Sequence, residues 1–403
     1  MRGRAAEWRL RLILAAFSSL LTLACAEIAA RLVLRPPGPR AGAGTPISEL
    51  SPTLGWRTRA LGSQRIRRDE FEVTVAINSR GLRGPEIPYE ATPGRRRLAI
   101  VGDSFAHGYY AEEPETVRGL LGHALDSCRV DVLNAGGPGY STDQSWLHFN
   151  EEVRKYQPAE VVLLFYYNDL LFNIEAMGTA NREKPVFVEK DGQLELVRPK
   201  LAPVASDEPA EVPDGPPPQR GAPTFRHSAL WAFAAARLQR SRPDWSRSLA
   251  EWGMAPELST LPPAEFLPFG PINAGERARV ENMWTRTEAI LRGFRDDVRG
   301  GGAGFSVFYV PARFEVNDQA WDFVRRRYEP NRPWTRDAVR SQLEKVLVSL
   351  DIPLLESTDE FKGAEKNGPP AYLAVDGHWN ARGNRIAFEG LLPAMRRAFG
   401  CGA

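Results

Sequence analysis

The chain has 403 residues, 43% of them hydrophobic and 25% charged, with a formal net charge of +2. That length holds one large α/β domain with insertions, or two smaller domains. Nearly cancelling charge excludes a strong electrostatic pull toward nucleic acid, and three cysteines without a CxxC pair exclude the usual zinc and redox motifs.

Arg2, Arg4, Arg9 and Arg11 precede an uncharged apolar run from Leu12 to Ala26, and Glu27 and Arg31 follow it. A basic flank before an apolar core is an export signature, and it sets the N-terminus inside and the remainder outside the cytoplasm. The run is shorter than the about 20 residues of a spanning helix. Snorkelling of Arg11 and Arg31 stretches it to residues 10–34. Residues 1–35 are therefore expected to be an uncleaved single-span anchor in the inner membrane. Cleavage after "ACA" and lipidation of Cys25 are the two other readings. All three place residues 40–403 in the periplasm or beyond.

Residues 36–95 read as a linker and a β leader. "PPGPRAGAGTPISEL" is rich in Pro, Gly and Ala, and "FEVTVAIN" (71–78) alternates as a strand outside the main sheet. Arg95, Arg96 and Arg97 read as a solvated loop before a strand. From 97 a βα rhythm begins: "RLAIVGDS" is strand one and "PETVRGLLGHALDS" a helix. "RVDVLNAG" is strand two, "STDQSWLHFNEEVRKY" a helix, and "AEVVLLFYYND" strand three. The strands are apolar almost throughout, as in a parallel sheet with helices on both faces. The first part of this domain covers 96–174.

Residues 175–300 break the rhythm and read as an inserted lid. It holds a hairpin around Asp191-Gly192, a Pro-rich flexible loop (201–223) and helices at 228–240 and 275–298. The sheet resumes over 301–403 with "GFSVFYVP", a helix near 335–350, strand five at "IPLLES", then "DGHWN" and a final helix from 381. The expected fold is a five-stranded doubly wound parallel sheet, flavodoxin-like, in order 2-1-3-4-5.

In such a sheet the carboxyl-end loops converge on one crevice. Strand one delivers Asp103 and Ser104, strand two "NAGGPGYST" with Gly139, and strand three Asn168 and Asp169. The turn after strand five delivers Asp376, His378 and Asn380. A hydroxyl, an imidazole, mobile backbone amides and a carboxamide are the groups that acyl transfer needs. Serine attacks once an imidazole takes its proton, and the tetrahedral oxyanion then requires fixed donors. Ser104 N–H, Gly139 N–H and the Asn168 amide are the candidate donors. Asp103 reads as a turn-holding group, Asn380 as a cap of the last helix, and His107 as an ordinary neighbour on the helix of Ser104.

These four blocks, "GDSF", "NAGGPG", "YYND" and "DGHWN", resemble in order those of the SGNH (GDSL-type) hydrolase superfamily. "SPTLGWR", "INSRGLRG" and the N-terminal segment resemble the leader of its membrane-anchored bacterial branch. The resemblance implies Ser104 as nucleophile, His378 as base, Ser104, Gly139 and Asn168 as oxyanion hole, and no metal or organic cofactor. Two positions depart from the pattern. Tyr166 stands where the third block has Gly, and Val375 stands three residues before His378, where an Asp is usual. The carboxylate is Asp376, in an Asp-x-His-Trp spacing similar to polysaccharide O-acetyltransferases of the alginate-acetylating type. It can orient His378 only if Gly377 lets the chain turn sharply. Tyr166, Asp169 and Trp379 are the expected substrate-binding residues.

The expected activity is an esterase or O-acyltransferase on acyl groups, foremost acetyl, of an envelope carbohydrate, with a membrane acyl-donor protein as partner if the reaction is transfer. A lipase or thioesterase for lipid esters, and a catalytically silent carbohydrate-binding scaffold, are the alternatives. Cys128 and Cys401 end two helices expected on one face of the sheet, and outside the cytoplasm such a pair oxidises.

Overall fold

A computed structural model of the protein describes residues 2–33, 44–68, 70–179, 182–199, 230, 263–328, 331–373 and 376–401. The Pro-rich loop at 201–223, nearly all of the helix expected at 228–240, and Val375 lie outside these residues. The chain divides into two units. One comprises Met1–Arg40, Pro218–Leu261 and Arg326–Pro330; the other comprises Ala41–Pro217, Pro262–Arg325 and Asn331–Ala403.

In the first unit, Arg2–Val33 is one continuous helix. Leu14, Phe17, Leu21, Leu23 and Ile28 stand exposed on it. Glu27 and Arg31 form an ion pair one turn apart at 2.7 Å. No helix among the described residues is long and apolar enough to cross a membrane. The span expected at 1–35 is thus not found among the described residues.

The second unit is built on a parallel sheet of five strands: β1 (Arg96–Gly102), β2 (Val130–Gly136), β3 (Glu160–Tyr166), β4 (Gly304–Val310) and β5 (Leu354–Leu355). The spatial order is β5-β4-β3-β1-β2, the 2-1-3-4-5 order read from the sequence, and every neighbouring pair is parallel. Leu98, Ile100, Val162, Leu164, Phe308 and Val310 lie in one buried cluster with residues of Val117–Leu125 and Ala381–Ala398. Those two helices pack against each other, which seats their ends side by side. Cys128 and Cys401 are accordingly joined in a disulfide, with 5.6 Å between their α-carbons.

The helix Ala274–Gly300, grouped with the lid in the sequence, buries Met283, Ile290, Leu291, Phe294 and Val298. Phe294 packs on Phe149 and on Phe305 of β4. This helix is the crossover that a parallel β3–β4 connection requires, not a cover over the crevice. The hairpin at 186–197 forms as expected, with Asp191 and Gly192 both at positive φ in its turn. It too packs on the helix side, where Phe187 stacks on Trp146.

The leader forms small antiparallel sheets of its own, Gly44–Thr45 with Ser63–Arg67 and Glu72–Ala76, and the pair Ser48–Ser51 and Gly55–Thr58. The arginine run differs from its expected solvated loop. Arg96 and Arg97 belong to β1, and Arg97 is buried, donating to the carbonyls of Pro88, Tyr89, Glu90 and Tyr156. A guanidinium carries five donors, so it can be buried where several carbonyls end together.

Candidate active site

β1 ends at Gly102, whose φ of +140° is open only to glycine, and a side chain there would sit 2.7 Å from the Leu164 carbonyl of β3. The chain turns at once into the short helix Ser104–His107. Asp103, not Ser104, caps it: its carboxylate accepts from Phe105 N–H at 2.8 Å. The serine hydroxyl is therefore left for another partner. Burial pushes the Asp103 carboxyl up to about 6, against the lowering pull of the Phe105 amide and His378.

That partner is His378, whose Nε2 lies 2.7 Å from Ser104 Oγ. On the other side of the ring, Nδ1 pairs with the Asp376 carboxylate. The two-residue spacing closes because Gly377 adopts φ +83°, turning the chain back so that Asp376 faces the imidazole it precedes. Burial pushes Asp376 up, but the hydrogen bond and charge of His378 hold it below the usual carboxylate value. Asp376 N–H donates to the leader residue Glu70 at 3.1 Å. With Asp376 at Nδ1 the proton is kept on that nitrogen, and Nε2 is left to accept from the serine.

The other blocks gather around the same strand ends. Gly137 N–H donates to the Gly102 carbonyl at 2.9 Å, which ties the second block to the end of β1. Gly139 stands at φ +75°, and its carbonyl accepts from the Thr179 hydroxyl. Asn168 opens the short helix Asp169–Phe172 but makes no capping bond, and its Oδ1 is buried without a partner among the described residues. Tyr166, half-buried, packs on Phe105 with ring centres 4.7 Å apart. It forms a bulky wall beside the nucleophile helix.

Trp379 and Asp169, two expected binding residues, are buried, and Trp379 also lines the cavity at Ser104. Trp379 is 2% exposed and packs between Phe105, Phe308 and Phe361. Asp169 is also 2% exposed and accepts from the Thr142 hydroxyl at 2.9 Å. The indole thus packs against the core, and the carboxylate ties helix Thr142–Glu151 to the short helix Asp169–Phe172 after β3. Asn380 caps the last helix as expected, accepting from Arg382 N–H and Gly383 N–H.

Several supporting residues carry no sequence signal for this place. Arg83 of "INSRGLRG" is buried and donates to the carbonyls of His107, Gly108 and Ala111, clamping the loop after Ser104. Trp56 of "SPTLGWR" donates to Pro138 O at 2.9 Å and holds the second block. Lys184 and Asp143 form a fully buried ion pair at 2.5 Å behind that block. The leader motifs were legible as motifs; their targets lie on loops distant in sequence. A cavity of about 10 Å³ touches Ser104, Gly108, Tyr110 and His378. A larger groove of about 380 Å³ runs beside Trp284 and Gln342 and includes none of the candidate residues. No cluster of His, Cys, Asp and Glu fit for a metal occurs among the described residues.

No family model matches the chain, and no curated protein does. Among solved structures it is similar to a catalytic mutant of an acetylxylan esterase (Axe2) from Geobacillus stearothermophilus. That match has 14% identity and a TM-score of 0.37, covering 78% of this chain and 98% of the other. It is also similar to LAE5, an alpha/beta hydrolase enzyme from the metagenome of Lake Arreo, Spain, at 14% identity and a TM-score of 0.37, over 78% and 98%. TesA matches at 12% identity and a TM-score of 0.35, over 75% of this chain and 99% of its own.

Proposed function

We propose that this chain is an SGNH-type serine esterase or O-acyltransferase acting on ester-linked acyl groups, foremost acetyl, of an envelope carbohydrate. The observation that carries the reading is the 2.7 Å contact between Ser104 Oγ and His378 Nε2, with Asp376 on the far nitrogen. Ser104 Oγ attacks the ester carbonyl while His378 takes its proton, and Asp376 stabilises the imidazolium that forms. Ser104 N–H, Gly139 N–H and the Asn168 amide receive the developing oxyanion. His378 returns the proton to the leaving alcohol, and an acyl-serine remains. Water then releases the acid, or a sugar hydroxyl takes the acyl group.

The Cys128–Cys401 disulfide supports placement of this unit outside the cytoplasm, where such bonds persist. Exposed Leu14, Phe17, Leu21, Leu23 and Ile28 on the N-terminal helix support its attachment to a membrane. The Asp-x-His-Trp spacing favours transfer, with a membrane acyl donor as partner.

A fluorophosphonate probe tests the chemistry: the wild type labels and Ser104→Ala does not. No labelling of the wild type leaves a binding scaffold. Turnover of p-nitrophenyl acetate against p-nitrophenyl palmitate separates the short-acyl reading from a lipase. Counting acetyl groups on the envelope polysaccharide by mass spectrometry, with and without the protein, tests the carbohydrate assignment.

A further inference from the structure

The His378 imidazole lies between two aromatic rings. Phe105 stacks on it at 4.6 Å between centres and 26° between planes, and Tyr110 at 4.1 Å and 25°. Two near-parallel rings this close must occupy opposite faces of the imidazole. Phe105 is 3% exposed and belongs to the core, where it also meets Tyr166 and Trp379. Tyr110 has no such explanation. It follows the left-handed cap at Gly108, and its ring is held edge-on by Phe71 at 5.0 Å and by Tyr109 at 5.1 Å.

We propose that Tyr110 is a positioning residue for His378, its ring holding the imidazole against Phe105 and its face receiving the imidazolium. The proposal rests on the esterase reading above. The two rings fix the plane of the imidazole, and with it the line from Nε2 to Ser104 Oγ. When His378 takes the Ser104 proton, the imidazole becomes a cation lying on the negative face of the phenol ring. That contact strengthens only as the charge forms, which is the condition for an interaction to accelerate a reaction. The charged and titratable groups around His378 and Asp376 are Asp103 from the end of β1, Tyr109 beside Tyr110, and Glu70 at the Asp376 amide.

The test compares Tyr110→Phe and Tyr110→Leu in the full chain, using p-nitrophenyl acetate across pH and the rate of fluorophosphonate labelling. Tyr110→Leu loses the ring: kcat is expected to fall roughly 5-fold with KM unchanged, and the acidic limb of kcat/KM moves to lower pH. Tyr110→Phe restores the ring and is expected to recover most of that loss. Wild-type kcat and an unshifted pH profile in Tyr110→Leu, or an equal loss in Tyr110→Phe, overturn the proposal. Should Tyr110→Leu fail to fold, Tyr110→Met decides in its place. Failure of the wild type to label at Ser104 is a different result: it sinks the esterase reading and takes this proposal with it.

Discussion

Ser104 Oγ and His378 Nε2 stand 2.7 Å apart although 274 residues separate them in the chain. Each arrives at the crevice from the carboxyl side of the sheet, Ser104 directly off β1 and His378 after β5 and one further helix, Thr358–Asn367. If this pair is the reacting unit, Ser104→Ala lowers ester turnover by at least about 10³-fold, and Asp376→Asn lowers it by about 10²–10⁴-fold. Neither change touches the core, so the urea midpoint of each variant is expected to stay near that of the wild type. Equal loss of activity and of folding would assign both residues to structure alone.

Arg83 gives a second prediction. Its guanidinium is 2% exposed and bonds to three carbonyls on the loop after the nucleophile helix. Burial pushes its pKa down to about 10, well above neutrality, so it stays charged. Arg83→Met leaves those carbonyls without donors and is expected to cost about 2–4 kcal/mol. The measurement is denaturant unfolding. Activity per folded molecule is expected to fall as well, because the loop carries Tyr110; an unchanged midpoint would show that the clamp contributes nothing.

The disulfide gives a third. Cys128–Cys401 closes a long loop, with a sequence separation of 273. Reduction, or replacement of both cysteines by serine, is expected to lower stability by about 2–5 kcal/mol. Thermal unfolding with and without a reductant reads this directly, and the two treatments should agree.

A fourth concerns acid. His107 is fully buried beside Arg83, and burial holds its pKa well below the ordinary value of 6.5. In the unfolded chain it titrates normally, so below pH 6.5 the unfolded state binds the extra proton. Its contribution to stability is complete above pH 6.5 and is lost as pH falls. The carboxyls of Asp103, raised to about 6, and Glu315, raised to about 7, work in the opposite direction, because the folded state holds their protons longer. His107→Gln removes only the histidine contribution. Relative to wild type, its stability is expected to gain about 1.4 kcal/mol per pH unit below 6.5. Parallel stability–pH curves for the two proteins would refute that.

Strand order and the meeting of Ser104 with His378 were legible because a doubly wound parallel sheet leaves little topological freedom. Apolar runs at 97–102, 130–136, 160–166 and 304–310 gave the strands, and the loops had to follow. That Trp379 and Asp169 are buried was not legible, because a residue type in a motif does not give its exposure. The helix at 274–300 was misread for a related reason. Its distance from strand three suggested an insertion, while its apolar face is what covers the sheet.

Local chemistry determined which residue types this chain brings to one rim: a hydroxyl after a strand, an imidazole after a glycine turn, and a carboxylate two residues before it. Tertiary structure decided what holds them there. Arg83, Trp56 and Tyr110 act on backbone and rings remote from them in sequence or across the crevice. Hydrogen bonds to carbonyls and ring stacking leave no periodicity or spacing in the chain, so such partners become visible only when the loops are placed in space.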